Sequence, residues 1–263
     1  MAPTLQRRTL LLVTGASRGL GRELAVKLTA RLASGSVVVL TARNEADLMR
    51  TAEMIALTAP PDVRVVPLAC DLAVADDHDL ERIVGAGLES NPSLEAAMII
   101  HNSGSVGDVS RTALQHDSVA SADSYFRLNV AAVVALNGVF LRQVGQRAAH
   151  VTVINISSLC ALQPFKSMSL YCAGKAARDM FFRVLAAEHP ELRVLNYAPG
   201  PLVTDMARTV ADTTADPDIQ KMFREGVDGG FLTCATTVER LINALESDKF
   251  ESGSHVDYFD KDE

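Results

Sequence analysis

Short apolar segments alternate with longer amphipathic segments along this chain. The apolar segments are hydrophobic throughout instead of at every second position, which is typical of parallel strands covered on both faces. They predict strands at Thr9–Val13, Ser36–Thr41, Arg64–Leu68, Ala97–His101, Thr152–Ile156 and Arg193–Tyr197. The amphipathic segments predict helices at Gly19–Ala33, Glu45–Leu57, His78–Glu89, Ser121–Gln143, Leu170–Glu188 and Thr237–Glu246. This order predicts an α/β fold, a doubly wound parallel sheet with helices on both faces and ligands at the carboxyl ends of its strands.

Composition adds limits to this picture. The 263 residues are 48% hydrophobic, and no linker or repeat divides them, so a single domain over residues 1–263 is expected. The formal net charge is -7, which argues against nucleic acid and anionic membranes as partners. No apolar stretch is expected to span a membrane, and the run Leu10–Val13 is too short for a signal peptide.

The four cysteines are separated and form no CxxC pair, and no histidine cluster accompanies them. Metal binding is therefore not expected. Without a secretory signal, we expect reduced thiols and a cytoplasmic protein.

A glycine-rich turn follows the first predicted strand. Gly15, Gly19 and Gly21 have the spacing Gly-x-x-x-Gly-x-Gly and stand between a strand and an amphipathic helix. Glycine permits a tight turn and lets a pyrophosphate approach the positive end of the helix. An ordinary strand-to-helix turn is the alternative, but the placement favours dinucleotide binding.

The end of the second strand indicates which dinucleotide. NAD-binding chains usually have an acidic residue there, whereas this chain has Arg43 and Asn44. Arg18 lies in the glycine-rich turn, and two guanidinium groups would suit the 2'-phosphate of NADP(H). A solvated Arg43 is the alternative. Asp71 follows the third strand, where it could hold the adenine amine, and Asn102 follows the fourth.

Tyr171 and Lys175 are four positions apart on a predicted helix, so their side chains share a face. The ammonium group of Lys175 would lower the pKa of the Tyr171 phenol and make it a proton donor. Alone, this pair would be read as a surface pair. Ser158 lies thirteen positions before the tyrosine and could complete the site.

The segments Thr14–Gly21 and Asn102–Gly104, together with Ser158, Tyr171 and Lys175, resemble the short-chain dehydrogenase/reductase family. The resemblance implies a Rossmann-like fold and hydride transfer from a nicotinamide to a carbonyl. It implies that Tyr171 donates the proton, Ser158 hydrogen-bonds the carbonyl oxygen and Lys175 also holds the nicotinamide ribose. Asn129 matches the fourth catalytic residue of the family, which supports a water chain. Ser103 departs from the usual alanine.

A closer resemblance, to the sepiapterin reductases, covers almost the whole chain. It rests on the segments Gly104–Ser110, Ser157–Lys166, Tyr171–Met180, Arg193–Leu202 and Ser252–Asp257. It implies NADPH-dependent reduction of side-chain carbonyls of pterins such as sepiapterin and 6-pyruvoyl-tetrahydropterin, the last step of tetrahydrobiopterin biosynthesis. It also implies a homodimer formed through the helices Ser121–Gln143 and Leu170–Glu188.

The resemblance also implies two sets of binding residues. The cofactor set is Gly15, Ala16, Ser17, Arg18, Gly19, Leu20, Gly21, Arg43, Asn44, Asp71, Leu72, Asn102, Lys175, Leu202, Val203, Thr204, Asp205 and Met206. The substrate set is Ser158, Leu159, Phe165, Met168, Tyr171, Cys172, Gly200, Met206 and Asp257. Asp257 would anchor the pterin, because a carboxylate can accept its adjacent N–H donors. Position 168 is aromatic in the sepiapterin reductases and Met here.

Two other functions remain open at this stage. A broader carbonyl reductase would act on diketones or quinones. A non-catalytic NADPH-binding regulator would keep the fold, but the set Ser158, Tyr171, Lys175 and Asn129 argues against it.

Overall fold

All strands of the structure belong to one parallel sheet. The structure is a computed structural model that describes residues 4–89, 94–145 and 147–260. The strands are β1 (Thr9–Thr14), β2 (Val37–Ala42), β3 (Arg64–Ala69), β4 (Ala96–His101), β5 (His150–Ile156), β6 (Arg193–Ala198) and β7 (His255–Asp257). Their spatial order is β3-β2-β1-β4-β5-β6-β7. The order reverses direction between β1 and β4, and ligands of doubly wound sheets bind at this point.

Nine α-helices lie in the described part of the chain. They are α1 (Gly19–Thr29), α2 (Glu45–Ala56), α3 (Asp77–Leu88), α4 (Val119–Phe126), α5 (Ala132–Val144), α6 (Ser169–Glu188), α7 (Asp205–Thr213), α8 (Pro217–Glu225) and α9 (Cys234–Ser247). Several begin at a side chain that accepts a backbone N–H of the first turn, as Asn44, Asp76, Thr204 and Thr233 do. Such caps satisfy donors that the helix leaves free and fix where it begins.

Two apolar layers hold the helices against the sheet. Leu10 and Leu12 of β1 pack in the layer that contains residues of α3, α5 and α6. Leu11 and Val13 point to the other face and pack with residues of α1, α2 and α9. Because side chains alternate across a strand, only a continuously apolar strand can serve both layers. The predicted fold class is confirmed.

The predicted elements differ from the structure mainly near the carboxyl end of the chain. The short strand β7 and the helices α7 and α8 have no counterpart among the predictions. The predicted helix at 121–143 is broken by a π-turn, Arg127–Ala131, between α4 and α5. The predicted helix at 19–33 ends four residues early, at Thr29.

The continuous helical stretch Val119–Val144 is long and apolar enough to cross a membrane by length and composition alone. The expectation that no stretch reaches this length was therefore wrong. Its apolar residues include Leu136, Phe140 and Val144, which are fully buried in the core against the sheet. Packing in the core accounts for this composition.

Tyr197 joins β6 to α9 and gives a test of this packing. Its side chain is 1% exposed, and its hydroxyl lies 2.8 Å from the Thr237 carbonyl oxygen, to which it donates. We expect Tyr197→Phe to lower the free energy of unfolding by about 1–3 kcal/mol, because the buried bonds of the hydroxyl to the Thr237 carbonyl oxygen and hydroxyl are lost. Urea unfolding of both proteins measures the difference. Equal midpoints and slopes would contradict this role for the hydroxyl.

Candidate active site

One large cleft lies at the carboxyl ends of the strands. Its volume is about 1270 Å³, which exceeds the roughly 300–1,000 Å³ of a typical small-molecule pocket. The glycine-rich turn lines it, and so do Ser158, Tyr171 and Lys175. Asp257 lines the same cleft. The cleft therefore has room for a dinucleotide together with a second molecule.

The glycine-rich turn is held in a conformation that only glycine tolerates well. Gly15 has a φ of 67° and Gly19 a φ of 53°, both in the left-handed region. A Cβ at Gly21 would lie 2.1 Å from the carbonyl oxygen of Gly15. The Asn102 side chain supports the turn from β4, because its Nδ2 donates to the Thr14 carbonyl oxygen at 2.9 Å.

This turn places the amino end of α1 at the cleft. Arg18 occupies the N-cap position in an extended conformation, and no side chain caps the first turn. The backbone N–H groups of that turn and the helix dipole favour an anion. Because Gly21 has no side chain, the backbone of the turn packs closely and a pyrophosphate can approach it. The residues present therefore fit a dinucleotide cofactor.

The two arginines predicted for the 2'-phosphate are arranged differently. Arg18 belongs to the glycine-rich turn, and its guanidinium forms an ion pair with Asp205 at 2.8 Å. Arg43 is exposed at the end of β2, lines the cleft and pairs with no acid among the described residues. Arg43 is therefore the cation that remains available to a phosphate in this conformation.

Most of the other predicted cofactor residues line the cleft. These are Ser17, Leu20, Asn44, Asp71, Leu72, Leu202, Thr204 and Met206. Ala16 does not, because it is fully buried beneath the turn and its N–H donates to the Thr41 carbonyl oxygen. Val203 also lies outside the lining, and its N–H donates to the Leu232 carbonyl oxygen. Both residues support neighbours that do line the cleft, and their contact with the cofactor stays a prediction.

The catalytic candidates come from β5, the turn after it and α6. Ser158 caps the short 3-10 turn Leu159–Ala161, and its Oγ accepts the Cys160 N–H at 3.2 Å. Lys175 is 8% exposed, and its Nζ donates to the Ile156 carbonyl oxygen at 2.6 Å. The same Nζ lies 5.5 Å from the centre of the Tyr171 ring. Strand end and helix thus bring the three side chains together.

Burial shifts the pKa values of both Lys175 and Tyr171, and the shift of Tyr171 is opposite to the sequence prediction. Burial lowers the pKa of Lys175 to about 7, and the nearby Arg178 charge adds to the effect. Burial raises the pKa of Tyr171 above its ordinary value, with a smaller contribution from Cys160. The predicted lowering of the Tyr171 pKa was therefore wrong, because burial outweighs the lowering by the Ser158 hydrogen bond and the Arg178 charge. A raised pKa keeps the phenol protonated at neutral pH.

Asn129 lies in the π-turn between α4 and α5 and does not line the cleft. Its Oδ1 accepts the Ser105 N–H at 2.8 Å, and its Nδ2 donates to the Tyr125 carbonyl oxygen at 2.9 Å. These two bonds hold the side chain in place and leave one amide N–H and one lone pair of Oδ1 without a described partner. The part of Asn129 in a water chain stays a prediction.

Sequence reasoning missed a buried polar group beside these residues. Arg178 is 1% exposed and donates to the Asn155 side chain at 2.7 Å and to the carbonyl oxygens of His101 and Ser103. The next residue, Asp179, is also buried. The signal was present in the pattern, because both charges fall on the apolar stripe of the predicted helix at 170–188.

The substrate end of the cleft has apolar walls. Of the predicted wall residues, Leu159, Phe165, Met168, Gly200 and Met206 line it. Cys172 does not, and its Sγ donates to the Gln163 carbonyl oxygen at 3.9 Å; its contact with the substrate stays a prediction. Further wall residues come from the carboxyl-terminal part of the chain, outside the predicted elements: Val210, Met222, Phe223, Phe231 and Phe259.

Asp257 ends β7 and is held by its own turn. Its Oδ1 accepts the Phe259 N–H at 3.0 Å, and its N–H donates to Asp260 Oδ2 at 2.7 Å. One carboxylate oxygen of Asp257 is therefore free of described partners, and each oxygen has two lone pairs. The carboxylate can still accept two donors from a ligand in the cleft.

Comparisons with known proteins place this arrangement in a family. The short chain dehydrogenase model matches residues 9–215. Sepiapterin reductase from Bos taurus is 41% identical over 97% of this chain and 96% of the relative, and that from Meriones unguiculatus is 42% identical over 94% and 95%. A short chain dehydrogenase from Escherichia coli CFT073, crystallised in complex with NADPH, has a TM-score of 0.76 at 25% identity and covers 97% of this chain and 98% of its own. The chain belongs to the short-chain dehydrogenase family and, within it, to the sepiapterin reductases.

Proposed function

We propose that the protein reduces side-chain carbonyls of pterins such as sepiapterin with NADPH, as one NADP-binding domain over residues 1–263. The observation that carries the proposal is that one cleft contains a dinucleotide-type glycine turn, the Ser158, Tyr171 and Lys175 side chains and the Asp257 carboxylate. The sepiapterin reductases to which the chain is similar at about 41% identity support the same substrate class.

Each residue has a distinct task in this proposal. NADPH, when bound, supplies the hydride. Tyr171, which is protonated at neutral pH, donates its proton to the carbonyl oxygen as negative charge develops there. Ser158 donates a hydrogen bond to the same oxygen. Lys175, whose Nζ donates to the Ile156 carbonyl oxygen, would orient the ribose hydroxyls of the cofactor. Asn129 would support the water chain that returns a proton to Tyr171.

The substrate end fixes which carbonyl reaches Tyr171. Flat apolar side chains such as Phe165 and Met168 can cover the faces of a heterocycle. The Asp257 carboxylate can accept the adjacent N–H groups of a pterin edge, and these charge-assisted bonds set the depth of the ring. A small diketone has no such edge and would be held by the apolar walls alone.

The compartment and assembly also remain proposals. All four cysteines are free thiols, which fits the reducing cytosol. Met180 and Val184 on α6 are exposed by 54% and 45%, and such apolar side chains would be covered in a homodimer through the long helices.

The function itself is tested by following NADPH oxidation by the purified protein with sepiapterin and with a small diketone. Turnover of sepiapterin at much higher kcat/KM than the diketone supports the proposal. Comparable turnover of both would favour the broader carbonyl reductase. No turnover of either would favour the non-catalytic regulator.

The cofactor preference depends on Arg43. We expect Arg43→Asp to weaken NADPH binding by about ten- to a hundredfold, because a charge-assisted contact to the 2'-phosphate is replaced by repulsion. NADH binding should change little, since NADH lacks that phosphate. Fluorescence titration with each cofactor measures both constants. Equal affinity of the unaltered protein for NADPH and NADH would contradict the preference.

The acid assignment depends on Tyr171. We expect Tyr171→Phe to lower kcat with sepiapterin by about 10²- to 10⁴-fold, the usual contribution of a positioned acid. NADPH affinity should stay close to its original value, because the ring and its packing remain. Lys175→Ala should reduce both turnover and NADPH affinity. Near-normal turnover of the Phe variant would show that another group donates the proton.

The substrate anchor is tested by Asp257→Asn. The amide keeps one oxygen for the Phe259 N–H but loses the charge, so kcat/KM for sepiapterin should fall about ten- to a hundredfold. The diketone should hardly be affected. An equal loss with both substrates would make Asp257 structural, and no loss with either would place the anchor elsewhere.

A further inference from the structure

His255 lies two positions before Asp257 on β7 and also lines the cleft. The register pairs Asn196 with His255 and Ala198 with Asp257. Because side chains alternate along a strand, His255 and Asp257 point to the same face of the sheet. A contact that fixes the His255 ring therefore acts on the same short strand and the same face as the proposed substrate anchor.

The His255 ring is fixed by a buried carboxylate. Its Nδ1 lies 2.6 Å from Asp179 Oδ2, and the two side chains are only 13% and 7% exposed. An ionised carboxylate only accepts hydrogen bonds, so Nδ1 carries the proton and donates it. The contact joins β7 to the helix that carries Tyr171 and Lys175.

The other oxygen of the same carboxylate reaches the catalytic strand. Asp179 Oδ1 accepts the Ser157 hydroxyl at 2.5 Å and the Asn155 Nδ2 at 3.0 Å. Ser157 is the neighbour of Ser158. The Asp179 carboxylate therefore connects the end of β5 with β7, which carries the anchor.

We propose that His255, held by Asp179, is a positioning residue that sets where Asp257 stands relative to Tyr171 and Ser158. This inference rests on the proposed pterin reduction. β7 is an edge strand of only three residues. Backbone bonds to β6 at Gly253, Ser254 and Tyr258 hold one side of this segment, and the charge-assisted contact to Asp179 ties it to α6 as well.

Two substitutions of His255 separate the loss of its hydrogen-bond donor from the loss of its ring. In His255→Leu the donor is lost and Asp179 Oδ2 is left without its partner. In His255→Asn the amide nitrogen takes the place of Nδ1 and can still donate. His189→Leu is the matched control, because His189 also contacts a carboxylate, Glu191 at 3.1 Å, but lies exposed at the far end of α6.

We expect His255→Leu to lower kcat/KM for sepiapterin by about ten- to a hundredfold, the usual effect of losing a hydrogen bond to a charged group. Turnover of a small diketone and the affinity for NADPH should remain within about threefold, since neither uses the anchor. His255→Asn should recover most of the loss. His189→Leu should match the unaltered protein throughout.

The outcomes distinguish this inference from the proposed function. Equal losses with sepiapterin and the diketone, or no recovery in the asparagine variant, would overturn the positioning role while leaving pterin reduction intact. An unchanged kcat/KM for sepiapterin in the leucine variant would overturn it as well. If the unaltered protein fails to reduce sepiapterin, the proposed function falls and the inference falls with it.

Discussion

The burial of one guanidinium group constrains everything around the candidate site. Arg178 is 1% exposed, and a charge in that position is costly unless every donor finds a partner. Its partners are the Asn155 side chain on β5 and two carbonyl oxygens where β4 ends. These bonds therefore fix the position of α6 on the sheet. In this position of α6, Tyr171 and Lys175 line the cleft.

The same charge also shapes the chemistry. Arg178 is the second cause, after burial, of the lowered pKa of Lys175. Burial is also the largest cause of the raised pKa of Tyr171, and the Arg178 charge opposes that rise. The site is thus built around a protonated phenol, which suits the reductive direction, in which the phenol must give up its proton.

The sequence predicted the parts of this fold that depend on local patterns. The strands β1 to β6 followed from continuous apolar segments, and the glycine turn followed from its place after β1. The strand β7 could not be predicted, because three residues with His255 and Asp257 at alternate positions carry no apolar signal. The exclusion of Cys172 from the cleft depends on how α6 is rotated, and spacing along the chain does not determine that rotation to within one residue.

The two ends of the cleft differ in how they are specified. The cofactor end is formed by backbone: Gly15 and Gly19 have left-handed conformations, and Gly21 allows a contact that any Cβ would block. Such a site can be recognised from residue types at fixed spacing, because the chemistry is local. The substrate end is formed by side chains of distant elements, and Asp179 of α6 joins two of them, contacting Ser157 after β5 across 22 positions and His255 of β7 across 76. Its geometry is set by long-range packing, so residues remote from the anchor in sequence control the substrate that it accepts.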